Sequence, residues 1–302
     1  MPVSIPAHRI AMPSYRSIHG VIRAEPLNMS GFHVKQPLPN GSLDQVDPFL
    51  LLHHARNRVE KGSRPNDEGV APHPHRGFEP VTFIYKGGVH HRDSRGNDSI
   101  IKEGGVQWMT AGMGIVHSER PPRTLTEAGG EQEIIQLWIN LPTEHKRVQP
   151  RYQGLQADQI PVLTSDESRV TVQVVAGSLQ EIDGPIETYS PVLALNAVFQ
   201  SDGAFELPIP ESFNAFVYLL DGSVRINGER HVSGEHLVHF RPDGEAILIE
   251  ALETSRILVM AGEPLNEPVV SSGPFVMNST TEILEAMRDY RMGKMGVLVE
   301  EF

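Results

Sequence analysis

Residues 73–88 read HPHRGFEPVTFIYKGG and join two histidines to a run of strand-forming residues. The run from Val81 to Tyr85 is β-branched and aromatic, and two glycines end it. Side chains at positions i and i+2 leave the same face of a strand, so His73 and His75 point in the same direction. The stretch therefore predicts a β-strand that presents two imidazoles on one side.

Comparable strand-forming runs fall into two blocks of the chain. In the block 21–141 the further runs are 106–110 and 134–139, and in the block 170–262 they are 215–220, 224–226, 246–250 and 256–260. Residues 93–97 have the composition of a hairpin turn, and the 27 Gly and 24 Pro of the chain suit many short strands. The pattern predicts an all-β protein.

The two blocks align as an internal repeat. Setting KGGV at 86–89 over DGSV at 221–224 superimposes the preceding strands without a gap. Short strands at regular spacing in both halves favour a doubled β-barrel. We expect a first, metal-binding domain over residues 1–141, a connection over 142–160, and a second, metal-free domain over 161–302.

One helix is predicted near the end of the second domain. Ser279 and Glu282 have the spacing of a capping box, in which each side chain bonds a backbone N–H at the start of the helix. Its apolar face would consist of Ile283, Met287 and Tyr290. Gly293 can end the helix because glycine readily adopts the left-handed conformation of a C-cap.

Two pairs of residues at i, i+2 spacing predict a metal site. His73 and His75 form the first pair, and His117 and Glu119 form the second. If both strands face one barrel interior, three nitrogens and one oxygen converge on a point. Such a set suits iron(II), manganese or nickel and leaves coordination positions open, which favours iron. Copper(II) has the higher intrinsic affinity, and zinc more often occupies a closed structural site.

The internal repeat supplies a comparison for this site. At the offset given above, His73 and His75 fall on Pro208 and Pro210. Setting Gly105 over Gly234 places His117 and Glu119 on two further residues without metal-binding groups, Ala246 and Leu248. We therefore expect one metal ion per chain, in the first barrel.

Composition and charge exclude several classes of protein. The net charge of −12 disfavours direct contact with nucleic acid, which requires basic patches. The absence of cysteine excludes disulfides and thiolate metal sites. Residues 1–16 contain no apolar signal segment, and no stretch is long enough for a membrane span. We expect a soluble cytoplasmic protein, or also a nuclear one in a eukaryote.

Several segments resemble the signature sequences of pirins, a family of proteins with two cupin domains. The segments are HPHRGFE at 73–79, VQWMTAGMGIVHSE at 106–119, LWINLP at 137–142, PRYQ at 150–153 and GPFVMN at 273–278. The resemblance extends over nearly the whole chain. It implies two tandem cupin barrels, each a double-stranded β-helix, with a C-terminal helix.

The resemblance also implies a set of metal ligands. In pirins the N-terminal cupin holds one iron through the positions that match His73, His75, His117 and Glu119, and the C-terminal cupin is metal-free. The general cupin pattern HxHxxxE would instead make Glu79 a ligand. The pirin resemblance favours Glu119, which leaves Glu79 as a buried partner of a histidine near the metal.

Other polar residues in these segments have simpler interpretations. His91 and Asp93 belong to the predicted hairpin and are read as a hydrogen-bonded turn beside the barrel. Phe78, Trp108 and Met109 are read as core residues. His53 and His54 depart from the family, in which acidic residues usually follow the segment that matches DPFLL at 47–51. Pro72 and Pro80, which flank HPHRGFE, also depart from it. These departures leave substrate specificity open.

The family resemblance implies an enzyme. Pirins of this type resemble quercetin 2,3-dioxygenases, which open the central ring of a flavonol with O₂ and release carbon monoxide. The expected partners are thus a small flavonol-like aromatic molecule and O₂. Glu119 or a nearby carboxylate would accept the proton of the substrate hydroxyl.

Two alternatives use the same metal. Some pirins act as redox-sensitive regulators through protein partners, including transcription factors, and the acidic surface suits a protein partner better than DNA. In a cupin with a merely structural metal, chelation would lower the melting temperature and nothing else. We rank the three hypotheses as enzyme, regulator and structural protein.

Overall fold

The computed structural model of the chain describes residues 14–29, 32–165 and 167–300. The predicted domain ends at residues 1 and 302, and most of the N-terminal segment 1–16, lie outside these ranges. Within them, strands predominate, as the sequence predicts.

The described residues of the first half form twelve strands and one short α-helix. They are β1 (Ile18–Arg23), β2 (Glu25–Met29), β3 (Phe32–Leu38), β4 (Phe49–Val59), β5 (Val70–His75), β6 (Phe78–Lys86), β7 (Gly88–Asp93), β8 (Asp98–Lys102), β9 (Val106–Thr110), β10 (Ile115–Arg120), α1 (Arg123–Ala128), β11 (Gly130–Asn140) and β12 (Arg151–Leu155). Strands β6, β9 and β11 contain the three runs predicted in this block.

The second half is similar and ends in a longer helix. Its elements are β13 (Val162–Ser165), β14 (Val170–Ala176), β15 (Ser178–Leu179), β16 (Ile182–Asp183), β17 (Val192–Phe199), β18 (Ala204–Pro208), β19 (Asn214–Asp221), β20 (Ser223–Ile226), β21 (Arg230–Ser233), β22 (His236–Phe240), β23 (Ala246–Ala251), β24 (Ser255–Gly262), β25 (Val270–Ser272), β26 (Phe275–Met277) and α2 (Thr280–Arg291).

Each barrel consists of one seven-stranded and one four-stranded sheet. In the first barrel the strand orders are β12-β9-β6-β11-β4-β3-β2 and β5-β10-β7-β8. In the second they are β1-β22-β19-β24-β17-β14-β13 and β18-β23-β20-β21. The prediction of two tandem all-β barrels with a C-terminal helix is therefore confirmed.

The repeat is visible in the turns that end equivalent strands. Strand β6 ends at Lys86 and β19 at Asp221, and the glycines that follow, Gly87 and Gly222, have φ angles of 76° and 86°. A residue with a Cβ is strained in this left-handed conformation, so both turns require glycine. A side chain at Gly222 would also meet the neighbouring backbone, because its Cβ would lie 2.5 Å from the Thr254 carbonyl oxygen.

The second barrel has no metal-binding side chains at the positions equivalent to the predicted site. The sequence alignment of the two barrels is, however, one residue away from the positions that face the interior. Pro208 pairs with Ala246 just as His73 pairs with His117. Pro208 is nevertheless exposed. The residues that do face the interior lie one position away, since a shift of one residue reverses the face of a strand. They are Leu207, Ile209, Ile247 and Ile249.

Two large apolar clusters hold the molecule together. One fills the interior of the second barrel, and Val217, Val259 and Phe240 are among its residues. The other lies between the two seven-stranded sheets, where Phe49 of the first barrel meets Phe216 of the second edge to face at 5.3 Å. Phe78, Trp108 and Met109 are buried as predicted. Apolar burial thus fills the second barrel and joins it to the first.

A buried ionic cluster reinforces the contact between the barrels. Glu133 accepts hydrogen bonds from His54 at 3.0 Å, from Arg56 at 2.6 Å and from both Nη atoms of Arg256 at 2.8 and 3.0 Å. Arg256 also bonds Asp221. Burial alone would raise the pKa of Glu133, but its hydrogen-bond donors hold that pKa below its usual range. The carboxylate therefore links cations from both barrels.

The two ends of the chain cross over between the barrels. Strand β1 pairs with β22 of the second barrel, and the buried Arg16 donates to the carbonyl oxygens of Pro210, Phe213 and Gly244 there. Strands β25 and β26 and helix α2 pack in turn against the first barrel. The predicted division into 1–141 and 161–302 remains a prediction, and both ends cross it.

Helix α2 begins at the predicted cap. The Ser279 hydroxyl accepts a hydrogen bond from the Glu282 N–H, and Glu282 Oε2 accepts one from the Asn278 N–H. The buried face consists of Ile283 and Ala286, whereas Tyr290 is 40% exposed because it lies in the last turn. None of the helices in the described ranges is long and apolar enough to cross a membrane.

Candidate metal centre

Three of the four predicted ligands converge inside the first barrel. Strands β5 and β10 are antiparallel neighbours, and His117 lies opposite His73. The ligand nitrogens of His73, His75 and His117 all lie within 4.8 Å of one another. His73 Nε2 is 3.0 Å from both His75 Nε2 and His117 Nε2. His75 and His117 are buried and His73 is partly exposed.

The hydrogen bonds of the other ring nitrogens determine which nitrogens are free. His73 Nδ1 lies 2.8 Å from the Ala71 carbonyl oxygen, and His75 Nδ1 lies 3.4 Å from that of Pro274. A carbonyl oxygen only accepts, so both Nδ1 atoms carry the hydrogen. The Nε2 atoms are then unprotonated, and their lone pairs face the centre of the cluster.

The third imidazole is oriented by a histidine and an aspartate. His91 Nε2 donates to Asp93 Oδ2 at 3.1 Å, so its Nδ1 is free to accept. His117 Nδ1 lies 3.4 Å from His91 Nδ1 and donates to it. The ring of His91 stacks on Tyr152 at 4.2 Å. Asp93 also caps the predicted hairpin turn through Asn97, so the turn is confirmed, but His91 additionally orients His117.

This arrangement fits a metal ion. Three lone pairs face one centre, and His73 Nε2 lies 3.0 Å from each of the other two Nε2 atoms. Such lone pairs repel each other unless a cation lies among them. Two nitrogen ligands at right angles, each about 2.1 Å from an ion, would also be about 3.0 Å apart. Burial, together with the proximity of His73, lowers the pKa of His75 and of His117 well below the usual value. These rings are therefore neutral, as metal ligands must be.

Glu119 lies beside the histidine cluster but is not one of its members. Its Oε1 accepts hydrogen bonds from the Thr82 hydroxyl at 2.8 Å and from Gln107 Nε2, and its Oε2 accepts one from Gln136 Nε2 at 2.7 Å. All three partners are donors, so the carboxylate acts only as an acceptor. Its predicted role as fourth ligand remains a prediction.

Glu79 is buried, as predicted, but has a different partner. Its Oε1 accepts a hydrogen bond from the Thr110 hydroxyl at 2.6 Å, and no histidine of the described residues bonds it. Burial raises the pKa of Glu79 to about 7, although the bond from Thr110 opposes this shift. Glu79 is not a member of the histidine cluster either.

A row of four polar side chains crosses four neighbouring strands beside Glu119, and the sequence patterns single out only one of them, His53. Gln107 pairs with Thr82, Thr82 with Gln136, and Gln136 with His53. Thr82, Gln107 and Gln136 are each a single polar residue between apolar neighbours, and this pattern is the signal that could have revealed them. We call these four residues the polar row.

A cavity of about 60 Å³ adjoins this row. Its polar lining consists of Glu119, Gln132, Gln136 and His53, and its apolar lining includes Val34, Ala55, Val89 and Ile134. Met29 and Val70 also line it and are exposed, which gives the cavity an apolar mouth. Apolar walls with a few convergent polar groups are typical of small-molecule sites.

Comparisons with known proteins agree with this structure. The family model described as Pirin matches residues 31–139, and the one described as Pirin C-terminal cupin domain matches residues 194–296. Pirin-1 of Arabidopsis thaliana is 40% identical over 257 residues, which cover 83% of this chain and 84% of that protein. A Pseudomonas aeruginosa protein, named as a candidate quercetin 2,3-dioxygenase, is 36% identical over 265 residues, 87% of this chain and 92% of its own.

Solved structures show the same fold. A crystal structure of quercetin 2,3-dioxygenase from Acinetobacter baumannii superimposes with a TM-score of 0.88 at 35% identity and covers 95% of this chain and 100% of that one. The bacterial pirin YhhW of Escherichia coli in complex with nickel(II) has a TM-score of 0.66 at 21% identity, over 81% of this chain and 99% of that one. The chain belongs to the pirin family.

Proposed function

We propose that the first barrel holds one iron(II) ion through His73, His75 and His117, with Glu119 as fourth ligand or as proton acceptor. We propose further that the protein is a dioxygenase that opens the central ring of flavonols such as quercetin. The observation that carries this proposal is the convergence of three free Nε2 atoms near Glu119, a carboxylate that also lines a cavity with an apolar mouth. The A. baumannii dioxygenase structure supports it.

The proposed reaction combines a flavonol with O₂ and gives a ring-opened ester and carbon monoxide. When bound, iron(II) supplies Lewis acidity and redox chemistry that the side chains lack. Glu119 would accept the proton of the flavonol 3-hydroxyl. Hydrogen bonds from Thr82, Gln107 and Gln136 hold this carboxylate in place beside the cavity.

The cavity limits how a flavonol would bind. Its volume of about 60 Å³ is below the roughly 300–1,000 Å³ of typical ligand pockets. One edge of the ligand would therefore enter, and the remaining ring would lie against Met29 and Val70 at the mouth. Both side chains are more than a third exposed and apolar, and an aromatic ring would cover them.

The identity of the metal is part of the proposal. Neutral imidazoles bind iron, nickel, copper and zinc, and a carboxylate would also suit manganese. Nickel(II) is the metal of the E. coli structure, which at 21% identity supports the fold alone.

The test is anaerobic reconstitution with iron(II), followed by addition of quercetin and O₂ while flavonol absorbance and carbon monoxide are measured. Parallel samples with the other divalent metals compare their activities. We expect turnover with iron that disappears in His117→Ala, because this change removes one of three converging nitrogens. The metal affinity should fall by more than the roughly 10–100-fold that loss of a supporting partner costs. His231→Ala, a histidine of the second barrel, is the matched control and should retain full metal content.

Each outcome has a distinct meaning. Iron-loaded protein that consumes no O₂ with any flavonol would overturn the dioxygenase proposal. Stoichiometric iron binding without turnover, combined with protein partners that differ between the iron(II) and iron(III) forms, would support the regulatory alternative instead.

A further inference from the structure

We propose that residues 270–300, the C-terminal tail, position the metal ligands of the first barrel. The tail comprises β25, β26, α2 and the residues after the helix. It follows the second barrel in the chain but packs against β5 and β10, the two strands that carry the histidines. The inference rests on the metal-binding part of the proposed function and is independent of the reaction.

The first contact is with the ligand His75 and the residue after it. The Pro274 carbonyl oxygen accepts hydrogen bonds from His75 Nδ1 and from the Arg76 N–H, both at 3.4 Å. The Val276 N–H donates in return to the Arg76 carbonyl oxygen at 3.0 Å. The tail thus runs beside the end of β5, and one of its carbonyl groups sets the tautomer of a ligand.

The side chain of Arg76 attaches the same point to helix α2. Its Nη1 lies 3.1 Å from Asp289 Oδ2, and its Nε donates to the Met113 carbonyl oxygen at 2.7 Å. The side chains of Arg76 and Asp289 are only 5% and 13% exposed. Loss of the aspartate charge would leave a buried guanidinium without its counter-ion, which is strongly unfavourable.

A close backbone approach joins the tail to the turn after Arg76. Gly77 has a φ angle of 87°, and a Cβ at this position would lie 2.0 Å from the Val276 carbonyl oxygen. The buried Lys146 donates from Nζ to the carbonyl oxygens of both residues, at 2.8 Å to Gly77 and 3.2 Å to Val276. The turn and the tail therefore share a cation as well as direct contact.

The tail also contacts the strand that carries His117. The Ser94 hydroxyl donates to the Met295 carbonyl oxygen at 2.7 Å and accepts from the Val116 N–H at 3.1 Å. Val116 precedes His117 and belongs to the same apolar cluster as Met295 and Ile283 of the tail. Both ligand strands are thus held by the C-terminal tail, and the spacing of His75 and His117 depends on how the tail packs against them.

The test compares two variants of helix α2 in the full-length protein. Asp289→Asn removes the counter-ion of Arg76, whereas Glu285→Gln makes the same chemical change at a residue that pairs with the exposed Arg147. The dissociation constant for cobalt(II) is measured by competition with a chromophoric chelator, and the visible spectrum of the cobalt(II) protein reports ligand geometry. Both are recorded well below the melting temperature.

We expect Asp289→Asn to bind cobalt(II) about tenfold more weakly and to change the spectrum, as loss of a supporting partner typically does. Glu285→Gln should match the wild type. Should Asp289→Asn fail to fold, Ser94→Ala takes its place, with a smaller but measurable loss of affinity expected.

The outcomes separate this inference from the proposed function. A variant that melts at a lower temperature but keeps the wild-type affinity and spectrum would show that the tail only stabilises the fold, and would overturn the inference. Wild-type protein that binds no divalent metal would overturn the metal-binding proposal, and the inference with it.

Discussion

The two barrels have the same strand pairing, but one interior carries a row of polar side chains and the other an apolar row. In the first, the polar row is Gln107, Thr82, Gln136 and His53. In the second, the equivalent row across β22, β19, β24 and β17 is Val238, Val217, Val259 and Leu195. All four belong to the apolar cluster that fills the second barrel.

The comparison separates what the fold supplies from what the site requires. The fold supplies two equivalent interiors, and the one with a polar row holds Glu119 and has a cavity beside it. The second interior, within the described residues, is packed with branched apolar side chains. Function thus depends on a few interior residues of a shared fold.

The largest expected effect concerns the buried ionic cluster around Glu133 that links the two barrels. Glu133→Gln leaves Arg56 and Arg256 without their shared carboxylate, and we expect the free energy of unfolding at pH 7 to fall by about 3 kcal/mol. The value is at the low end for buried pairs because the two arginine side chains are 43% and 25% exposed. Denaturant unfolding measures it, and separate transitions for the two barrels would show that this carboxylate couples them.

The conservative substitution Lys86→Gln is the control for this variant. Lys86 pairs with Glu131 at 2.6 Å near the same cluster, but both side chains are about half exposed or more. Its loss should change stability far less than the loss of Glu133, because water and salt screen exposed ion pairs. Equal effects of the two substitutions would contradict the special role of Glu133.

A second experiment exchanges residues between the two rows. Val217→Thr places a hydroxyl among apolar side chains of the second barrel, and we expect a loss of about 2 kcal/mol in unfolding free energy. The reverse exchange, Thr82→Val, should cost less, because Glu119 keeps the donors Gln107 and Gln136. Chemical denaturation of both variants provides the measurement. A neutral Val217→Thr would mean that the second interior tolerates polar groups.

The smallest expected effect is a dependence on pH. Burial lowers the pKa of His53 to about 4, whereas an unfolded histidine titrates near 6.5. As pH falls from about 6.5 towards 4, the unfolded chain binds a proton that the folded protein excludes, so stability falls in this window. We expect His53 to contribute about 1–2 kcal/mol of this loss between pH 7 and pH 5.

The measurement is the unfolding free energy at several pH values. His53→Leu, which introduces the residue of the second barrel, should flatten the slope between pH 7 and pH 5. Gln36→Leu removes the hydrogen-bond partner of His53 at 2.6 Å but keeps the imidazole, so it should retain the slope. An unchanged slope in His53→Leu would assign the pH dependence to other groups.

Local patterns predicted much of the fold. The strand runs, the glycines that end β6 and β19, and the cap at Ser279 depend on neighbouring residues, and each lies where the sequence places it. The convergence of His73 and His75 follows from the two-residue period of a strand in the same way.

Contacts between distant segments were not predictable from these patterns. The sequence predicts His91 as part of a turn, yet its ring contacts His117, because β7 is the neighbour of β10 in the sheet. The sequence alignment of the two barrels matches the ligands to residues that lie one position away from those facing the second interior. Strand register depends on partners far along the chain, and a shift of one residue reverses the face.

The sequence by itself determined two β-barrels, the family, and three histidines on two strands. Only the tertiary structure decided that Glu119 bonds Thr82, Gln107 and Gln136, and that the C-terminal tail seats on the ligand strands of the first barrel. The physical reason is the distance along the chain over which each interaction acts. Strand period and turn chemistry act over a few residues, whereas His75 and Pro274 are joined by a hydrogen bond across 199 positions of the chain.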